Sequence, residues 1–179
     1  MFERKARHVD SEGLWAYALR ILGSRAYSTA EMRDKLGRRA EHPEDVEGVL
    51  ARLKASQYLD DRRFAETYAA ARLSNERFGK TRVLQDLRHR KVPGTVAEKT
   101  VQAVYQDVDE SALIEEFIRR KYRAADRETL FQEDKDLASA YRRLARAGFR
   151  TGEIVRVLKK FAKNPDLLDG FEPPEETAE

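Results

Sequence analysis

The sequence predicts an all-α protein built from three tandem three-helix repeats, helix-turn-helix-like and set in an elongated arrangement. Three observations predict it. An apolar pattern recurs: Met32, Leu36, Val46, Val49, Leu50 and Leu53 are matched 51 residues on by Val83, Leu87, Ala97, Thr100, Val101 and Val104. A step of 108 residues from the first set reaches Ala140, Leu144, Ile154, Val157, Leu158 and Phe161. Glycine and proline are scarce and fall between the periodic segments, as in a chain that is almost entirely helical. A period of this length, apolar at helical spacing in every copy, marks stacked helical units that share buried seams.

The first repeat, residues 13–57, follows an N-terminal arm, residues 1–12. Its first helix, from Gly13 to Leu22, gathers Trp15, Ala18, Leu19 and Leu22 on one face. Ser28-Thr29-Ala30-Glu31 is a capping box that starts the second helix, with Tyr27 and Met32 as a hydrophobic staple. Pro43 suits the opening turn of the third, where its missing amide hydrogen costs little. The second repeat, residues 58–108, uses the same devices. Asp60 caps the helix of Phe64, Tyr68 and Leu73, Gly79 takes the place of Ser28, Phe78 and Val83 repeat the staple, and Thr95 with Glu98 offers a second capping box. In the third repeat, residues 109–164, Leu113, Phe117 and Ile118 mark the first helix. The polar run Arg123–Glu128 reads as a longer connection or an extension of that helix, and Gly148 is the C-cap of the next. Trp15, Tyr68 and Tyr141 lie on apolar stripes and are expected in the core.

Composition bounds the function. The 179 residues include no cysteine, which excludes disulfides, thiolate nucleophiles and cysteine metal sites. The N-terminus lacks the apolar stretch of a signal peptide, and no apolar run approaches the ~20 residues that span a bilayer. A cytoplasmic protein is expected. From Asp166 to Glu179 there are six acidic residues and no basic one, so residues 165–179 read as a disordered acidic tail. The rest holds 35 basic against 26 acidic residues, a net of +9, which suits polyanionic or acidic partners.

No catalytic site is expected, nor any metal or cofactor. Asp60-Asp61 stands at a helix start, where a cap and a first-turn carboxylate explain both residues. His8, His42 and His89 lack metal-ligand spacing, and no phosphate loop or serine elbow is present. The candidate binding residues are the basic faces of the second and third repeats: Arg77, Lys80, Arg82, Arg88, Arg90 and Lys91, then Arg142, Arg146, Arg156, Lys159, Lys160 and Lys163. Read along each helix, these faces are nearly single-signed.

The run Tyr58-Leu59-Asp60-Asp61-Arg62-Arg63-Phe64-Ala65-Glu66-Thr67-Tyr68 resembles the signature of the RecX family of bacterial recombination regulators. Tyr27-Ser28 with Glu31-Met32 and Lys35-Leu36, Gly79 with Leu84 and Leu87, Arg120-Lys121-Tyr122 and Gly148-Phe149 extend the resemblance over Trp15 to Phe161. Ala40-Glu41 departs from the usual Gly-Phe pair, and Lys80 from a common proline. The resemblance implies a cytoplasmic, non-catalytic protein that binds the RecA filament and lowers RecA's recombinase, ATPase and co-protease activities; a monomer is expected. It leaves open contact with RecA protein, with single- or double-stranded DNA through the backbone, or with both. The alternative is a helix-turn-helix-like transcriptional regulator. That reading needs a base-reading third helix, yet the first repeat's third helix exposes Glu44, Asp45 and Glu47 and the second's is nearly neutral.

Overall fold

The computed structural model describes residues 8–122 and 134–162. Among these the regular structure is helical: α1 (Ser11–Leu22), α2 (Thr29–Gly37), α3 (Asp45–Ala55), α4 (Asp61–Ala71), a π-helical turn (Arg72–Glu76), α5 (Lys80–His89), α6 (Gly94–Val104), α7 (Glu110–Lys121), α8 (Asp134–Arg146) and α9 (Thr151–Phe161). Two compact units result, residues 1–69 with 84–103 and residues 70–83 with 104–179. Lys163, the acidic tail and the run Arg123–Glu128 lie outside the described residues.

In the first unit, α1, α2 and α3 close over Leu14, Ala18, Met32, Leu36, Val46, Val49, Leu50 and Leu53, all buried. Burying a side chain of this size contributes roughly 1.5–3 kcal/mol. The caps explain where the helices begin. Asp10 accepts from the Gly13 amide at 2.9 Å, so α1 starts at Ser11, two residues upstream of the expected start. Ser28 accepts from the Glu31 amide at 3.1 Å while Glu31 accepts from the Ser28 amide at 3.3 Å, which completes the capping box. The Asp60 carboxylate takes the amides of Arg62 and Arg63, as its place before α4 implies. The box expected at Thr95 does not form. Helix α6 already starts at Gly94 with the Pro93 carbonyl accepting from Val96 and Ala97, and Glu98 turns to Arg88 instead.

Where α2 begins, it meets the end of α5. The Ser28 hydroxyl donates to the Arg90 carbonyl at 2.5 Å, and the Thr29 amide donates to Asp61 at 2.7 Å. Arg90 reaches back to Glu31 at 2.9 Å, and Lys91 pairs with Asp34. Asp61 therefore satisfies a donor of another helix, beyond the first-turn role its position suggests. The Arg90 guanidinium also lies over the Phe64 and Tyr68 rings, 5.6 Å from each centroid.

The second unit packs α7, α8 and α9 around Ile114, Ile118, Leu144, Ile154, Val157 and Leu158, with Phe117 and Phe149 edge to face at 5.8 Å. Here the start of α5 meets the end of α8 through backbone alone. The Gly79 amide donates to the Ala147 carbonyl at 2.7 Å and the Thr81 amide to Gly148 at 3.3 Å. A Cβ on Gly79 would stand 2.3 Å from the Gly148 oxygen, and one on Gly148 would stand 2.2 Å from the Arg82 nitrogen. Gly148 has φ +88°, the left-handed C-cap conformation expected of it. The Tyr105 hydroxyl donates to the Phe78 carbonyl at 2.7 Å, and burial pushes its phenol pKa up.

Tyr141 is buried in this unit, as expected. Trp15 and Tyr68 are only half-buried in the first. Trp15 sits at the rim, edge to face with Tyr58 at 6.2 Å and covered by Arg52. Tyr58 itself remains 52% exposed.

Candidate partner-binding faces

Helical spacing dictates that the basic residues point away from the buried stripes, and the structure places nearly all of them at the surface. Their electrostatics differ from what one helix at a time suggests, because acids arrive from neighbouring helices. Arg88 pairs with Glu98 of α6 at 3.2 Å, and Lys160 of α9 pairs with Glu115 of α7 at 2.9 Å. Arg77 pairs with Glu116 of α7 at 2.6 Å. Arg90 and Lys91 are tied to Glu31 and Asp34, as described. Arg156 donates to both Ser111 and Glu153 at 2.6 Å, while Ser111 donates to Glu153 at 2.5 Å. These bonds, led by that of Ser111, hold the Glu153 carboxyl below the ordinary range. The single-signed reading is thereby corrected for six of these residues, since Arg77, Arg88, Arg90, Lys91, Arg156 and Lys160 are each answered by a carboxylate.

Three of the twelve residues stand apart. Lys80 at the start of α5, and Arg142 and Arg146 one turn apart on α8, are exposed with no ion-pair partner among the described residues. The buried side of α8 explains the orientation, since Leu137, Ala140, Tyr141 and Leu144 point inward. Arg82 lies over the Phe78 ring at 5.9 Å, and Lys159 is half-buried on α9. Lys80 also lines a cleft of about 440 Å³, together with Arg150, Arg156, Asp109, Glu110 and Glu153. Arg150 forks onto Glu110 through its backbone amide at 2.8 Å and its Nε at 2.6 Å, so the cleft is charge-balanced as well.

Comparison with known proteins decides the family. Residues 15–53 match the RecX first three-helix domain and residues 60–101 the second. The Regulatory protein RecX of Deinococcus radiodurans is 36% identical over 177 residues, covering 98% of this chain and 78% of its own. The chain belongs to the RecX family. A Regulatory protein RecX of Thermus thermophilus is 37% identical over 146 residues, 80% of this chain and 88% of its own. The RecX fold is shared with the crystal structure of RecX from Lactobacillus salivarius, at a TM-score of 0.63 and 17% identity over 84% of this chain and 96% of that one. The matched proteins carry the name Regulatory protein RecX. Among the described residues no helix is long and apolar enough to cross a membrane.

The contacts that sequence reading missed are the pairs linking one repeat to the next: Asp61 to the Thr29 amide, Glu31 to Arg90 and Asp34 to Lys91. A signal for them existed. Ser28 and Gly79 occupy one register of the repeat, and Arg90 and Ala147 occupy another. A contact in one pair of repeats thus forecasts its counterpart.

Proposed function

We propose that this protein binds the RecA–DNA filament and lowers RecA's recombinase, ATPase and co-protease activities, and so regulates recombination and repair. Membership of the RecX family, at 36% identity over nearly the whole chain, is the observation that carries this reading. The partner is the RecA filament, engaged through RecA protein, filament DNA or both, by a cytoplasmic monomer. Among the described residues, Lys80, Arg142 and Arg146 are the exposed cations of these faces that form no ion pair. They supply the polar contacts in this reading, with Arg82 and Lys159 beside them. A helix-turn-helix base reader is less well supported, because the first repeat's third helix opens with the exposed carboxylates Glu44 and Glu47, which would repel phosphate.

The test is DNA-dependent ATP hydrolysis by RecA, titrated with this protein. Slowing that saturates with added protein is expected. Unslowed hydrolysis under conditions where co-sedimentation shows filament binding would count against inhibition. Reversing Arg142 and Arg146 to glutamate should weaken filament binding by roughly tenfold or more at low salt and flatten its salt dependence, since several charges act together.

A further inference from the structure

The three repeats share one acceptor. The Arg90 carbonyl at the end of α5 takes the Ser28 hydroxyl, and the Ala147 carbonyl at the end of α8, its counterpart in the next repeat, takes the Gly79 amide. The counterpart in the first repeat is the Arg39 carbonyl, 51 residues before Arg90 and 108 before Ala147. No repeat precedes it within the described chain. Its carbonyl is nonetheless filled: the Val9 amide donates to it at 2.9 Å, and the Glu41 amide returns a bond to the Val9 carbonyl at 3.0 Å. Val9 and Ala40 thus form an isolated parallel bridge.

The returning bond has its own cause. In α5 and α8 the chain turns through a left-handed residue, Lys91 at φ 57° and Gly148 at φ 88°. That turn folds the next amide back onto its own helix, Val92 to Leu87 at 3.1 Å and Phe149 to Leu144 at 3.3 Å. In the first repeat the corresponding residue is Ala40, which is not among the residues with positive φ, and the Glu41 amide bonds to Val9 rather than to Leu36. Without the arm, a carbonyl and an amide at the end of α2 would lose their protein partners.

We propose that residues 8–10 are an end cap: a strap that occupies, in the first repeat, the seat that a preceding repeat occupies in the other two. Release of the strap leaves the Arg39 carbonyl and the Glu41 amide without protein partners and opens this end of the first repeat to solvent. The inference is independent of the RecA reading and concerns a face distant in sequence from Arg142 and Arg146.

Gly13 provides the lever. A Cβ there would stand 2.7 Å from the Val9 Cβ, so Gly13→Ala pushes Val9 from its seat without touching residues 39–41. Hydrogen exchange on the full chain is the readout. The Glu41 amide should exchange at least tenfold faster in Gly13→Ala, with Val92 and Phe149, whose turns close on themselves, unchanged. Val9→Pro, which removes the amide that bonds Arg39, fixes φ there and takes away the valine side chain packed on the core, should accelerate Glu41 in the same way. Unchanged Glu41 exchange in both variants overturns the proposal, and so does acceleration that is no greater at Glu41 than at Val92. A raised melting temperature for Gly13→Ala with Glu41 still protected also overturns it, because that is what replacing a helical glycine does when nothing is seated against it.

Discussion

The two junctions between repeats use one register and opposite chemistry. In the first unit the start of α2 is fastened to the end of α5 by side chains: a hydroxyl on a carbonyl, a carboxylate on an amide and two ion pairs. In the second the start of α5 is fastened to the end of α8 by removing side chains, so that backbone meets backbone at Gly79 and Gly148. Repetition of a fold therefore preserves where the bond is made and leaves free how it is made. The side-chain junction is divided among several groups, each of which can be lost singly. The backbone junction has no spare space, and loss of either glycine removes it whole.

The largest expected effect follows from that difference. Gly148→Ala forces a left-handed alanine and drives its Cβ into the Arg82 backbone, two penalties that together exceed about 3 kcal/mol. Gly79→Ala should come close, from crowding alone. The reciprocal change sharpens the contrast. Lys91 occupies the same register with φ 57° and an exposed side chain, so Lys91→Gly relieves strain while giving up the weak, exposed pair with Asp34, and its net effect should lie within about 1 kcal/mol of neutral in chemical denaturation. Equal sensitivity at positions 91 and 148 would break the comparison.

Next in size is Asp61→Ala. The Thr29 amide it satisfies belongs to a buried residue, and leaving such a donor unpaired costs about 1–3 kcal/mol. Ser28→Ala removes a helix cap and the bond to Arg90 together, about 1–2 kcal/mol. Both losses should appear in urea denaturation as a lower midpoint with an unchanged slope. A double variant that loses less than the sum of the two would show that the groups act as one junction.

Most of the fold was legible in the sequence, because apolar spacing, caps and staples are local signals that agree with one another. Ser28, Asp60 and Gly148 begin or end helices as their residue types require. The candidate faces were legible only in part. Spacing along α9 shows that Arg156 and Lys160 point outward, but Glu115, which answers Lys160, lies 45 residues earlier on another helix. The partners of Arg88, Arg90 and Lys91 are likewise on other helices. Trp15 escapes sequence reading for a related reason. Its stripe is apolar, yet it lies at the rim, where Tyr58 and Arg52 cover it in place of core residues.

The smallest expected effect separates the junctions by pH. Asp34 in the first unit is held below the usual carboxylate value of 3.8, chiefly by its hydrogen bond from Lys91, with Coulombic attraction to Lys91 and Arg38 adding to it. A depressed folded value contributes stability that is complete above the unfolded value and is lost as pH falls through the folded one. Acid below about pH 4 should therefore loosen the first unit's junction at this pair. The Gly79–Gly148 junction contains no titrating side chain and has no such dependence of its own. The effect is modest, because Asp34 and Lys91 are both exposed and water screens them. Carbon-detected NMR titration of the Asp34 carboxyl reads it directly. Lys91→Gly should move its midpoint up toward the ordinary value, while Gly79→Ala should leave it in place. An Asp34 midpoint indifferent to Lys91→Gly would mean that this ion pair is not part of the junction, leaving Ser28, Asp61 and Glu31 to hold the first unit's repeats together.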